Sequence, residues 1–187
     1  MITSKELATA KWKEERLKCI TATDCSIIVG ANPYQTLNDL MRNKLYGIEQ
    51  EVTERMKKGL EMEASALEAY MCHTARIFTP KWVRHKERTW MAATLDGLSL
   101  DERDIVEIKC GKSAYYAAKK GEIPVYYQWQ MEHQMCVVGV GAMNYVAYDG
   151  NNLIILPYES NEIMQEILWE KEEKFYKLMT TMQELDR

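Results

Sequence analysis

The stretch "TLDGLSLDERDIVEIKC", residues 94–110, decides how the rest of the chain is read. It sets Asp96 beside Gly97, runs through the charged turn Asp101 to Asp104, and then alternates Val106 and Ile108 with Glu107 and Lys109. Side chains alternate across a strand, so Glu107 and Lys109 share one face and the two apolar residues share the other. A strand with one wet face produces the same pattern. The surroundings must therefore distinguish a polar site from a solvated sheet.

The chain has 187 residues, 47% of them hydrophobic, with 9 Gly and 4 Pro, enough for one packed domain. No apolar run approaches the roughly 20 residues of a membrane span, and "MITSKELATAKWKEERLK" lacks the apolar centre of a signal peptide, so a cytoplasmic protein without a membrane partner is expected. The five cysteines (Cys19, Cys25, Cys72, Cys110, Cys136) are scattered and contain no Cys-x-x-Cys pair, which argues against a disulfide framework or a zinc site. The net charge of −4 is local in origin. Residues 159–187 hold eight acidic and four basic residues, leaving 20 of each before them. Basic clusters at Lys11 to Lys18, Lys57 and Lys58, Lys81 to Arg88 and Lys109 to Lys120 suit either a solvated surface or a polyanion.

The order of elements indicates an α/β fold with a mixed central sheet flanked by helices. Helical spacing covers Ser4 to Lys18, Leu37 to Leu45 and Glu51 to His73, with a short helix capped by Thr21, Thr23 or Asp24. The period then changes. "ARIFTPKWVRH", "RTWMAATLDG", "LSL" and "DIVEIKC" read as antiparallel strands. Helices over Ser113 to Lys120 and Tyr126 to Val138 follow, then a hairpin turning at Asp149 to Asn152. Ser160 is expected to cap a terminal helix whose apolar stripe is Ile163, Ile167, Phe175, Leu178 and Met182.

On the helix from 51 to 73, Glu63 falls in the stripe Met56, Leu60, Leu67 and Tyr70, so a carboxylate is expected to face the core. Buried without a partner it would be costly, and a basic partner or a metal answers that need equally. Gln128 similarly shares a helical face with Met131 and Met135. Glu63, Asp96, Glu107, Lys109 and Gln128 on one wall of the sheet would suit a hard divalent cation, which takes oxygen ligands and keeps several waters.

These residues resemble a known pattern. Asp96, ten intervening residues and Glu107-Ile108-Lys109 look like the PD-(D/E)xK nuclease motif, with Leu95 where proline often stands. "WKEERLKCITATD", "GLEMEASALEAY", "LDG", "EIKC" and "YYQWQMEHQM" resemble, in order, the motifs of the YqaJ and phage lambda exonuclease family of viral recombination nucleases.

The resemblance implies a restriction-endonuclease-like core and a Mg²⁺-dependent deoxyribonuclease, Mn²⁺ substituting, that degrades linear double-stranded DNA 5′→3′ and leaves 3′ single-stranded overhangs. Asp96, Glu107 and the backbone carbonyl of Ile108 would hold the metal with Glu63 in support. Lys109 would orient or activate water, and Gln128 would contact water or the scissile phosphate. Arg16, Thr23 and Thr94 would form a 5′-phosphate pocket, with Trp12 either core or base-stacking. The family implies a bacterial host, phage or prophage encoding, a single-strand annealing partner and a homotrimer ring. A single nuclease domain over 1–187 is expected, with a helical part carrying the phosphate pocket (1–50), a catalytic core (51–143) and a terminal hairpin and helix (144–187). The cysteine positions do not resemble those of the iron–sulfur nucleases, so no such cluster is expected. The stretch "GANPYQTLND" lacks the family's basic wedge loop. Other PD-(D/E)xK endonucleases and a non-catalytic DNA-binding or phage structural module are the alternatives.

Overall fold

The computed structural model of the protein describes residues 10–48 and 53–185. Helix α1 (Ala10–Leu17) leads into the short strand β1 (Ile20–Thr21), then α2 (Ala22–Ile28), α3 (Leu37–Tyr46) and the long α4 (Glu54–Thr74). Strands β2 (Phe78–Arg84), β3 (Met91–Ser99) and β4 (Ile105–Cys110) follow, then α5 (Lys112–Lys119) and α6 (Val125–Val138). The hairpin β5 (Ala142–Tyr148) and β6 (Leu153–Glu159) precedes α7 (Glu162–Leu185). Residues expected in helices before 10 and at 51–52 lie outside the described residues. None of the described helices is long and apolar enough to cross a membrane.

The start of α2 is built by its sequence. Thr21 is the N-cap, and its backbone N–H and hydroxyl both donate to Asp24 Oδ2 at 2.8 Å. The same carboxylate meets Lys44 of α3 at 2.6 Å with both side chains buried, and Lys44 Nζ also donates to the carbonyls of Arg16 (2.8 Å) and Cys19 (2.7 Å). One ammonium thus ties α1, α2 and α3 together.

The sheet is mixed. β3 pairs antiparallel with β2 and β4 and parallel with β1, while β4 runs parallel to β5 and β5 antiparallel to β6. One face packs Met91, Ala93 and Leu95 against Met131 and Met135 of α6 and Leu168 of α7. The other packs Val106, Ile108 and Val146 against Ala66, Leu67 and Tyr70 of α4. Helices therefore cover both faces, as the element order predicts.

Three local expectations change. "RTWMAATLDG" and "LSL" form one strand, because Gly97 makes room rather than a turn: a Cβ there would lie 2.7 Å from Val106 Cγ1, 3.0 Å from Phe78 Cβ and 3.1 Å from Leu67 Cδ1. On α7, Leu168, Glu172, Phe175 and Met179 face inward, whereas Ile163, Ile167, Leu178 and Met182 are exposed. The buried stripe includes a glutamate, which apolar periodicity does not register. The helix is capped by Asn161, whose Oδ1 accepts from Met164 N at 3.1 Å, while Ser160 donates to Glu132.

Candidate active site

The site forms where the sheet opens. β3 and β4 are paired only at Gly97–Val106 and Leu98–Ile105, while β1 takes the same edge of β3 further back, at Met91 and Ala92. Between these ladders β3 carries a bulge, two residues (Asp96 and Gly97) facing Pro80 on β2. A bulge re-aims the side chain it carries. Asp96 is turned to the opening, where its Oδ2 accepts from the Ile108 N–H at 2.7 Å, a group that β3 would otherwise pair.

Strand alternation on β4 then divides its residues between two sides. Val106 and Ile108 pack toward α4, while Glu107 and Lys109 turn to α6. Glu107 is buried, with Gln130 Nε2 donating to Oε1 at 2.6 Å and Gln134 Nε2 to Oε2 at 2.5 Å. Lys109 pairs with the same Oε1, and its ammonium lies 4.8 Å from the Tyr127 ring centroid. From the opposite side, Glu63 on α4 comes close enough to Asp96 for the two carboxyl groups to affect each other's ionisation. The residues do not share one wall, as the sequence reading expects; they converge from both layers on the gap between β3 and β4.

This convergence strains the charges. Burial, then the Glu107 and Glu63 carboxylates, push Asp96 well above the ordinary carboxylate range, with Lys109 and the Ile108 N–H opposing. Burial likewise raises Glu63, with the Glu107 charge adding to it. Burial works against the Lys109 ammonium, but Glu107 and Asp96 outweigh it and raise its pKa. Lys109 is therefore a cation in this arrangement. Three carboxyl groups face one ammonium, and their raised pKa values mark a cluster of oxygen donors that a cation would bring to full ionisation. Gln134 Oε1 and Tyr145 Oη are in addition buried without a hydrogen-bond partner among the described residues. An all-oxygen set of this kind fits a hard divalent cation.

A cleft of about 560 Å³ opens onto this gap, lined among others by Thr23, Tyr34, Glu63, Ile108, Lys109 and Gln130. Met56 and Leu60 line its mouth at 51% and 71% exposure, so the first turns of α4 face the cleft while Leu67 and Tyr70 alone of that stripe reach the core. Of the three residues assigned to a terminal phosphate and Trp12 beside them, Thr23 lines the cleft. Arg16 lies 4.8 Å over the Trp12 ring and contributes to holding Asp24 ionised; Trp12 packs edge-on against Trp82 at 6.4 Å; Thr94 sits opposite Trp82 in the β2–β3 ladder.

The glutamines of α6 divide between two partners. Gln128 Nε2 donates to the Ile123 carbonyl at 2.7 Å, closing the loop before α6, and the residues that reach Glu107 are Gln130 and Gln134. Helical geometry explains this: positions 130 and 134 lie one turn apart on one face, and 128 is about 200° away from 130. The i, i+4 glutamine pair in "QWQMEHQM" was the available signal.

Among the described residues one tight cluster of potential metal donors occurs elsewhere, at Cys25, His133 and Glu172, with donor atoms within 4.8 Å of one another.

Comparison with known proteins agrees with this architecture. Residues 11–141 match the profile of the YqaJ-like viral recombinase domain. The uncharacterized protein YqaJ of Bacillus subtilis (strain 168) is 26% identical over 186 residues, covering 92% of this chain; the match spans 57% of that protein's length. Among solved structures, LHK-Exo in complex with dAMP superposes with a TM-score of 0.83 at 22% identity, covering 95% of each chain. LHK-Exo is an alkaline exonuclease from Laribacter hongkongensis, and a second structure of it gives 0.80 at 24%, again covering 95% of each chain. A phage-related exonuclease from Haemophilus somnus 129PT gives 0.60 at 14%, covering 88% of this chain and 96% of that one.

Proposed function

This chain belongs to the YqaJ-like viral recombinase family, and from that premise we propose that it is a divalent-metal-dependent deoxyribonuclease that degrades linear double-stranded DNA 5′→3′ as one nuclease domain. The observation that carries the reading is the set of Glu63, Asp96 and Glu107 around Lys109 at the opening between β3 and β4.

Asp96, Glu107 and the Ile108 carbonyl would hold Mg²⁺ or Mn²⁺, with Glu63 in support. Such an ion polarises a phosphoryl oxygen and lowers the pKa of bound water. Gln130 and Gln134 fix the Glu107 carboxylate from both oxygens, so its orientation is set in advance. Lys109, a cation between Glu107 and the Tyr127 ring, donates hydrogen bonds to the attacking water or the phosphate. Gln130, on the cleft wall, takes the contact with water or phosphate first given to Gln128. Thr23 supplies a hydroxyl to the 5′-phosphate, Arg16 reaches it by leaving the Trp12 ring, and Thr94 is the remaining candidate from the resemblance.

The likeness to an exonuclease solved with dAMP supports mononucleotide products. The exposed residues Ile163, Ile167, Leu178 and Met182 on α7 support a subunit contact, and the family resemblance makes the assembly a homotrimer ring. A single-strand annealing protein would receive the 3′ overhangs, in the cytoplasm of a bacterial host. The test is a linear duplex labelled at one 5′ or one 3′ end. Mg²⁺ should release the 5′ label first as a mononucleotide, while Ca²⁺ supports binding without release; release from the 3′ end first would refute the polarity.

A further inference from the structure

Helix α6 buries three consecutive polar side chains, Glu132, His133 and Gln134, each fully inaccessible. Successive residues point about 100° apart, so the helix is gripped from three directions. Gln134 holds Glu107. The Glu132 carboxylate accepts from Tyr158 Oη (2.8 Å), Asn161 N (2.9 Å) and Gln165 Nε2 (2.6 Å), which fastens α6 to the entry of α7. Between them, His133 Nδ1 lies 2.8 Å from Glu172 Oε1 on α7, and Nε2 lies 3.0 Å from the Ala92 carbonyl oxygen on β3. A carbonyl oxygen only accepts, so Nε2 carries a hydrogen, and the carboxylate is satisfied when Nδ1 carries one as well.

We propose that His133 is held as an imidazolium between Glu172 and Ala92, and that this buried pair is a positioning device that sets α6 against β3 so that Gln130 and Gln134 reach Glu107. Its consequence for rate rests on the proposed hydrolysis; its protonation state does not. The groups around it are Asp24 and Cys25 from α2, Cys136 one turn along α6, Glu172 from α7, and His85 from the end of β2. Burial opposes the imidazolium, and the Glu172 charge outweighs it, so the pKa of His133 is raised. The pair's contribution is therefore complete below the ordinary histidine pKa of about 6.5 and is lost as pH rises through the higher folded value. Burial and then the Glu172 charge push the Cys25 thiol well above its usual value, and burial takes Cys136 to about 12, so both remain thiols. With both ring nitrogens already paired and the thiols protonated, the Cys25–His133–Glu172 cluster reads as an ion pair beside a thiol rather than a metal site.

The test uses the full chain, ¹⁵N-labelled at histidine. In a pH titration both His133 nitrogens should stay protonated to a higher pH than the ordinary histidine value of about 6.5, and metal analysis should find no ion retained by this cluster. His133→Leu with Glu172→Leu replaces the pair by apolar groups of similar size; it should still unfold cooperatively while kcat for nucleotide release falls about tenfold or more. KM for DNA should stay within about twofold. Glu172→Gln, which leaves Nδ1 a hydrogen-bond partner, should retain most of kcat. A neutral His133, a stoichiometric metal lost on Cys25→Ser, or wild-type kcat in the folded double-leucine variant would overturn the proposal. Absence of hydrolysis by the wild type would instead defeat the functional reading, and the resonance and metal measurements would still decide the pair.

Discussion

Gly97→Ala is the substitution for which the fold makes the sharpest demand. The added methyl would stand 2.7 Å from Val106 Cγ1, 3.0 Å from Phe78 Cβ and 3.1 Å from Leu67 Cδ1, against an optimum of about 3.5–4.0 Å for carbon pairs. Three neighbours on β4, β2 and α4 block its escape, and all are buried. Overpacking of this kind costs about 1–3 kcal/mol. For a chain of this length that lowers Tm by roughly 2–12 °C. The strain falls on Gly97–Val106, the last pair before β3 and β4 separate, so relief by moving β4 displaces Glu107 and Lys109 from Asp96. The rate should therefore drop more than stability alone explains. Thermal melts and urea unfolding of Gly97→Ala, Val106→Ala and the double variant isolate the contact. Removing the Val106 methyls relieves the closest approach, so Gly97→Ala should cost about 1 kcal/mol less in that background. A Gly97→Ala protein as stable as the wild type, or an equal cost in both backgrounds, would refute the packing argument.

Gln130→Leu should lower nucleotide release about tenfold or more, while Gln128→Leu, which loses only a loop hydrogen bond, should leave it within about twofold in the same steady-state assay. Lys109→Met should reduce kcat and leave Mg²⁺ affinity measured by calorimetry nearly intact, because its ammonium is a partner of Glu107 rather than a metal donor. Arg16→Ala should narrow the preference for 5′-phosphate over 5′-hydroxyl ends more than it slows hydroxyl ends; an unchanged ratio in competition assays would remove Arg16 from the phosphate site. Lys44→Met strands a buried carboxylate and should cost about 3–5 kcal/mol by urea unfolding. Burial raises Asp24, but the Lys44 and Arg16 charges outweigh it and depress its pKa, so in the wild type its stabilisation is present above the unfolded value of about 3.9 and is lost as pH falls through the lower folded one. In Lys44→Met the destabilisation should begin at higher pH.

Much of the fold was legible in the sequence because local signals agreed. Thr21, one of three cap candidates, the change from helical to alternating period near residue 75, and the Asp-Gly turn of the last hairpin all point to elements that exist. That Glu107 and Lys109 share a face was visible because strand alternation is a rigid rule, and the resemblance joined Asp96 to them. Other features were not legible. The bulge opposite Pro80 that turns Asp96 into the gap depends on pairing between distant strands. Gln130 was hidden because residues 131–135 of α6 are buried on all sides, which blurs the apolar face that would orient the helix. Glu63 was singled out, but from a stripe whose Met56 and Leu60 line a cleft rather than the core. The buried pairs Asp24–Lys44 and His133–Glu172 link positions far apart in the chain, and no periodicity carries that information.

The central claim is that hydrolysis occurs at the opening between β3 and β4 through Asp96. Its most direct measurement is the release of mononucleotides from 5′-phosphorylated linear duplex in Mg²⁺ by wild type and Asp96→Ala at matched folded concentration. The account predicts steady release by the wild type and a loss of at least about a thousandfold in the variant, whose unfolding transition remains cooperative. Release by folded Asp96→Ala at a rate near that of the wild type would contradict it.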